Sequence, residues 1–367
     1  MKRKRIIIGV LALVGLALLL LFGGIVRRLQ TLQSDQLAAA RWGDDAVQIS
    51  CYVSSYAGLY ADGIVSLEEA ISNSLQNDFS AAETDSTWYD AYSCDGGNVS
   101  ALGAKTGKKT LQMTLVSETY FQMHPYTLLS GNRLSEADTS TNRVVLDEAA
   151  AWNLFGGIDV AGMTVTFENR ICEVAGVIRL PDDFASAQAT ENDLPGIYML
   201  YSDYLAGLNA DGGEQEPAIT CYEVVLPELV ENYGYSLMEE IFESVSASWN
   251  GEEGITDNSD STQTTVRSDY RLVQNTDRFS LVQVWDYLFH HTDYITRTEA
   301  IAYPASENAA LILLHRIAML TIGAFLGLVL LLAAVTAAIV TDRKTIAAKF
   351  LHLKAWAATK AMIKAMK

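Results

Sequence analysis

The chain has 367 residues, half of them hydrophobic, four cysteines and a formal net charge of −18. The charge is unevenly divided: Leu29 to Asn308 holds 43 of the 44 acidic residues and 12 basic ones, a net charge of −31, and the remaining basic residues collect at the two ends. Such acidity argues against nucleic acid or anionic lipid as a partner of the middle segment, and its aromatic and β-branched stretches argue against a disordered loop.

Lys2, Arg3, Lys4 and Arg5 precede Ile6 to Val26, 21 residues without a charge. A helix of that length spans roughly 31 Å, the thickness of a bilayer core. A signal peptide would have an apolar stretch of about 7–15 residues before a small-residue cleavage site. Here Arg27 and Arg28 follow a longer run directly, so it reads as an uncleaved anchor. Residues 27–45 read as a stalk helix stopped at Gly43. Residues 46–54 alternate like a strand. Ser66, with Glu68 and Glu69 after it, predicts a capping box and a helix over 67–79. Strands are expected at 88–93 and 111–116.

The block from 118 to 205 differs in texture and is expected to be an inserted subdomain between two porter-like halves, 46–117 and 206–275. In it, residues 143–146 predict a strand, and Asp147 caps a helix that stops at Gly156-Gly157. Residues 163–167 and 171–178 predict a hairpin around Glu168-Asn169-Arg170. Residues 181–195 read as a polar loop and 197–201 as a strand. A strand (219–226), a helix (235–245) and a strand (264–273) follow, with an acidic loop at 250–262. Residues 276–308 hold an amphipathic helix, with Phe279, Val282, Trp285 and Phe289 on one side, and a linker broken at Tyr303-Pro304. Two β-α-β segments flanking an insert make an α+β domain with a split ferredoxin-like sheet.

The second span is expected at 309–341; Ile317 to Thr341 is free of charge. Its Gly323 and Gly327 form a GxxxG, a spacing that lets helices approach closely, so self-association through them is one expected use. Beyond it, residues 342–367 alternate lysines with Ile346, Phe350, Leu353, Trp356 and Ile363, the pattern of a basic amphipathic helix lying on an anionic inner leaflet. A docking site for a cytoplasmic protein is the alternative reading of this tail. Lys and Arg beside spans are retained in the cytoplasm, so both termini are expected inside and the acidic middle outside a cell membrane.

Signals for chemistry are few. Gly103 to Lys109 has three residues between its glycines and leads into a strand, so it reads as a hairpin turn and not a phosphate loop. His290 and His291 are adjacent, about 100° apart on a helix, and do not share a face for a metal. His124, before Pro125, reads as a loop residue. The acidic pairs Glu68/Glu69, Asp182/Asp183 and Glu239/Glu240 read as solvated faces. Catalytic, cofactor and metal residues are therefore each expected to be none. Cys51, Cys94, Cys172 and Cys221 all lie between the spans and allow three full pairings.

Arg143 to Ile178 resembles the signature of the MacB-like periplasmic core domain of ABC transporter permeases of the MacB and FtsX type. The resemblance rests on Leu146-Asp147-Glu148, Leu154-Phe155-Gly156, Asp159 to Gly162 and the hairpin end at Gly176, and these read as markers of fold. It implies a porter-like sheet interrupted by a second subdomain. It also implies that strands 46–54 and 219–226 are neighbours, which ranks Cys51–Cys221 first among disulfides. Family permeases carry three spans after the domain, where this chain has one, and an ATPase-engaging loop between the second and third. The resemblance therefore implies a two-span relative, of the kind found in Gram-positive bacteria, that would work with an ABC ATPase and a full permease. A stand-alone surface binding or sensing module is the alternative.

Overall fold

Backbone polar groups in lipid must be satisfied within their own segment, and the charge-free N-terminal run folds accordingly into α1 (Lys2–Leu29). The computed structural model describes residues 2–32, 37–43, 45–78, 88–137, 142–168, 170–211, 215–228, 230–246, 264–266, 269–295 and 300–365. The chain divides into a sheet unit, Leu32–Leu314, and a span unit, Met1–Thr31 with His315–Lys367.

The sheet unit opens with α2 (Ala38–Trp42), β1 (Ala46–Val53), α3 (Ala61–Asp78) and β2 (Tyr89–Ala101). Next come β3 (Lys109–Val116), α4 (Tyr120–Met123), β4 (Thr127–Gly131), β5 (Arg143–Asp147), α5 (Glu148–Leu154), β6 (Thr164–Phe167), β7 (Arg170–Arg179), α6 (Phe184–Ala189), β8 (Gly196–Leu200) and α7 (Tyr201–Asp211). The chain then returns through β9 (Cys221–Pro227), α8 (Tyr233–Ser246), β10 (Thr264–Val266) and β11 (Tyr270–Gln274). It ends in α9 (Leu281–Phe289), α10 (His291–Ile295) and α11 (Ala305–Ala365), which starts directly after Pro304.

The eleven strands among the described residues form one mixed sheet, ordered β10-β11-β1-β9-β2-β3-β8-β5-β7-β4, with β6 on β7. The stretch β11-β1-β9-β2 is antiparallel throughout, the split ferredoxin-like order expected from the two β-α-β segments. The same sheet continues through the antiparallel β2–β3 hairpin and the parallel pairing of β3 with β8. Residues 102–108 are the turn of that hairpin.

Side chains alternate across a strand. The odd positions Val47, Ile49, Cys51 and Val53 of β1 face a core built with Ile64, Leu67, Ile71 and Leu75 of α3 and Leu237, Met238, Ile241 and Phe242 of α8. The even positions Gln48, Ser50 and Tyr52 are equally buried.

Several local expectations are corrected. α3 starts at Ala61, and the Ser66 hydroxyl donates to the Asp62 carbonyl inside the helix, so the capping box is not used. The stalk is not one helix, because α1 ends at Leu29 before α2; Gly43 does close α2, its amide donating to Ala39 O. The 181–195 loop contains α6, whose first amides donate to Asp183 Oδ1. Residues 264–273 form two strands. Phe279 is outside α9, which Ser280 caps, so it leaves the stripe expected of it and is buried. The acidic loop 250–262 and the side chains of the 342–367 tail lie outside the described residues.

All four cysteines are free thiols, so the Cys51–Cys221 bridge is not formed. β1 and β9 are neighbours but antiparallel. Cys221 pairs with Tyr52, so the two thiols fall on opposite faces, Cys51 in the main core and Cys221 in a satellite cluster. Burial pushes all four thiols up, Cys94 to about 12 and Cys172 to about 11. Thiolate is the reactive form. A thiol reagent at pH 8 should therefore label none of them in the folded chain and all four in denaturant without reductant, read by mass; labelling of the folded chain would contradict this burial.

In the span unit the two long helices meet at small residues. A Cβ added to Gly327 would stand 2.8 Å from Gly15 O and 2.8 Å from Leu19 N, and one on Gly323 would stand 2.8 Å from the Phe22 ring. Gly323 and Gly327 thus face α1 of the same chain.

Candidate functional site

Beneath the even face of β1 lies a line of buried polar side chains. It begins on the first turn of α11, where Glu307 is 2% exposed. Arg278, four residues past β11 and 4% exposed, meets it as a two-pronged pair: Nη1 to Oε2 at 2.6 Å and Nη2 to Oε1 at 2.7 Å. The Tyr52 hydroxyl donates to Glu307 Oε2 at 3.1 Å. Burial works against the charge on Arg278, but the Glu307 carboxylate outweighs it, and the guanidinium is held firmly charged. Burial, and then the same carboxylate, push the Tyr52 phenol well up, so it stays a donor.

The line continues across the sheet. Arg278 Nη1 lies 3.4 Å from Asn275 Oδ1, and Asn275 Nδ2 donates to Ser50 Oγ at 2.7 Å. Ser50 pairs with Glu223 in the β1–β9 register and donates to its Oε1 at 2.7 Å. Glu223 Oε2 lies 2.6 Å from His124 Nε2, and the His124 ring stacks on Tyr120 at 4.3 Å. His124, read as a loop residue, directly follows α4 and is 3% exposed. One hydrogen-bonded path therefore links the root of α11, the segment after β11, strands β1 and β9, and the end of α4. Buried charges persist where partners satisfy them.

The root of α11 is packed as well as bonded. Ala309, Ala310, Leu313 and Leu314 are buried, and Ala305–Leu314 belong to the sheet unit. Tyr52, Cys221, Val273 and Ile301 form an apolar cluster beside the ion pair, with Tyr303 packed against it. Arg271 donates to Tyr294 O and lies over the Tyr303 ring. Beside this region a 760 Å³ cleft opens between Tyr303–Ser306 and the loop before β8, with Tyr198, Asp147 and Asp193 among its lining.

The signature residues gather elsewhere, around β5, α5 and β7, where each has a structural task. Leu146 and Leu154 are in the core, and Phe155 packs against it. Asp147 caps α5, Oδ1 accepting from Ala150 N at 2.6 Å while Oδ2 accepts from Gly196 N. Glu148 pairs with Arg179 at 2.8 Å, and Asp159 accepts from Ser130. Gly156 and Gly162 have positive φ, as their turns require. Lys105, from the β2–β3 turn, closes the other end of α5 on Trp152 O at 2.6 Å. Asp147→Ala should cost about 0.5–2 kcal/mol for the cap and about 1–3 kcal/mol for the orphaned Gly196 amide. Denaturant midpoints check it, and an unchanged midpoint would deny Asp147 this role.

Among the described residues no cluster of three or more His, Cys, Asp or Glu is placed to hold a metal. His290 Nδ1 is instead 2.8 Å from Asp286 Oδ1, one turn back on α9.

The family model described as MacB-like periplasmic core domain matches residues 6–226. Among solved structures the chain is similar to the periplasmic region of MacB from Actinobacillus actinomycetemcomitans, at 16% identity over 66% of this chain and 94% of that one, with a TM-score of 0.42. It is also similar to the extracellular domain of the noncanonic ABC-type transporter YknZ from Gram-positive bacteria, at 12% identity over 54% and 94%, with a TM-score of 0.36. No curated protein matches the chain.

Proposed function

This chain belongs to the MacB-like periplasmic core domain family, and from that premise we propose that it is a non-catalytic, permease-like subunit that relays motion between a membrane span and the α+β domain outside the cell. One observation carries the reading: the last helix is continuous from Ala305 to Ala365, and its root is built into the core of the sheet unit through Glu307. A tilt or shift of that helix in the membrane must then move β11, β1 and β9 with it, because Glu307 is tied to Arg278 and Tyr52. The force would come from an ABC ATPase and a full permease in the cytoplasmic membrane, with both termini of this chain inside. The basic tail would contact the inner leaflet. Gly323 and Gly327 serve pairing with α1 first, and self-association would use another face of the helices.

A second reading, a surface binding module without ATPase coupling, is favoured by the cleft beside Tyr303, which is large enough for a small ligand. Mild-detergent purification of the full chain from its native membrane, with mass spectrometry of what accompanies it, separates the two. An ABC ATPase and a multi-span permease are expected. Recovery of the intact, folded chain without either would favour the binding module.

A further inference from the structure

The cleft beside Tyr303 holds 760 Å³, enough for a small ligand, and all of its lining belongs to the sheet unit. Its walls are tied down. On one side Tyr303 packs on Tyr52, ring centroids 5.4 Å apart, and Arg271 lies over its ring. In the segment before β8, Asp183 caps α6, the Asp193 amide donates to Thr190 O, and Pro195 O accepts from Gln112 N of β3. Tyr120, Tyr126 and Tyr198 also line the cleft, the Tyr120 ring 6.3 Å from Tyr198 and 6.4 Å from Tyr126. A site whose walls are already fixed loses little freedom when a ligand enters.

The charge of the lining is one-sided. Asp95, Asp147 and Asp193 line the cleft, and no Lys, Arg or His is among the described residues that do. The three acids are not equivalent. Asp147 commits both oxygens to the amides of Ala150 and Gly196, and Asp95 Oδ1 accepts from Gly97 N at 2.7 Å and from Gln112. The Asp193 carboxylate has no hydrogen-bond or ion-pair partner among the described residues, and partial burial alone pushes that carboxyl up. A cation arriving beside it would restore the charged form. Leu194, Pro304 and the Tyr198 and Tyr303 rings give the same cleft an apolar and aromatic lining, and tyrosine rings attract cations. The net charge of −31 between the spans also concentrates cations around the unit and repels anions.

We propose that the cleft binds an organic ammonium ion, its nitrogen at Asp193 and its apolar body against Leu194, Tyr198, Tyr303 and Pro304. The assignment deepens the second reading above, since it rests on the cleft being a binding site; it does not depend on coupling to an ATPase. An anion of the same shape meets three carboxylates, and a neutral analogue leaves Asp193 unpaired, so charge sets the selectivity.

The test is calorimetric titration of the full chain in phosphatidylcholine nanodiscs, with empty nanodiscs subtracted. Three probes share one body: phenethylammonium, neutral 2-phenylethanol and anionic phenylacetate. Phenethylammonium should bind saturably and about tenfold or more tighter than the alcohol, and phenylacetate should not bind. Asp193→Asn should remove that preference, while Glu69→Gln, an exposed acid on α3 outside the lining, should leave it unchanged. Leu194→Lys, at a position 40% exposed, puts a cation into the lining and should reverse the order of the ammonium and the carboxylate. Equal binding of amine and alcohol, or a preference that survives Asp193→Asn, would overturn the ammonium assignment and leave the cleft a site for another class. Saturable binding of none of the three would overturn the assignment and the surface-module reading together.

Discussion

Glu307→Ala should lower the stability of the sheet unit by about 3–5 kcal/mol, the cost of breaking a buried ion pair from one side. Arg278 is 4% exposed and keeps its charge, so losing the carboxylate strands a cation among Tyr52, Ile301 and Tyr303, and it also leaves the Tyr52 hydroxyl without its acceptor. For a unit of this size the loss corresponds to a fall in Tm on the order of 10 °C. The double variant Arg278→Met/Glu307→Leu removes both charges and should stay within about 2 kcal/mol of the parent, the lost Tyr52 bond accounting for about 1 kcal/mol. Near-ultraviolet circular dichroism melts of the full chain in detergent measure both. A single variant as stable as the parent would mean that the pair does not tie the helix to the sheet.

The second large effect belongs to a backbone contact. Gly131 on β4 and Gly176 on β7 are paired in register, and there is no room for a side chain at either. A Cβ on Gly176 would stand 2.3 Å from Asn132 O, and one on Gly131 would stand 2.1 Å from Ala175 O, at a φ of +70° that L residues avoid. The obstacles are main-chain atoms, so no rotamer change relieves them. Gly176→Ala should cost about 3 kcal/mol or more, at or beyond the upper end of ordinary overpacking. Gly157→Ala meets nothing within 4 Å and serves as the control, with a change below about 1 kcal/mol. Equal midpoints for the two in urea would contradict the close approach of β4 and β7.

The residues announced the frame of the fold more clearly than its working parts. Strands such as 46–54 and 219–226 were legible because alternation and β-branching are local properties, and Asp147 was legible as a cap because Glu148 to Leu154 reads as a helix on its own. What local patterns could not reveal were contacts made across more than 80 residues. Ser50 and Glu223 lie 173 positions apart, and His124 and Glu223 lie 99 apart. Nothing local to 46–54 says that Gln48 and Ser50 are buried; Gln48 accepts from Ala38 of α2 and Ser50 from Asn275 after β11. A signal was present all the same. Glu223 is a lone acid inside an apolar strand, and Glu307 is an acid at the start of an apolar helix; both cost too much to bury without a partner. Helix α9 was legible as amphipathic, and Val282, Trp285 and Phe289 do share one exposed side; only Phe279 drops out of the stripe, because it precedes the Ser280 cap and is buried.

The central claim is that the root of the last helix moves as part of the sheet unit. Its most direct test is the distance distribution between spin labels at Tyr56→Cys and Ile312→Cys in the full chain in nanodiscs, measured by double electron–electron resonance, with the buried native thiols unlabelled. One narrow distance is predicted for the parent, broadening in Glu307→Ala. A broad distribution already present in the parent would mean that the helix root swings free of the sheet, and the relay would fail with it.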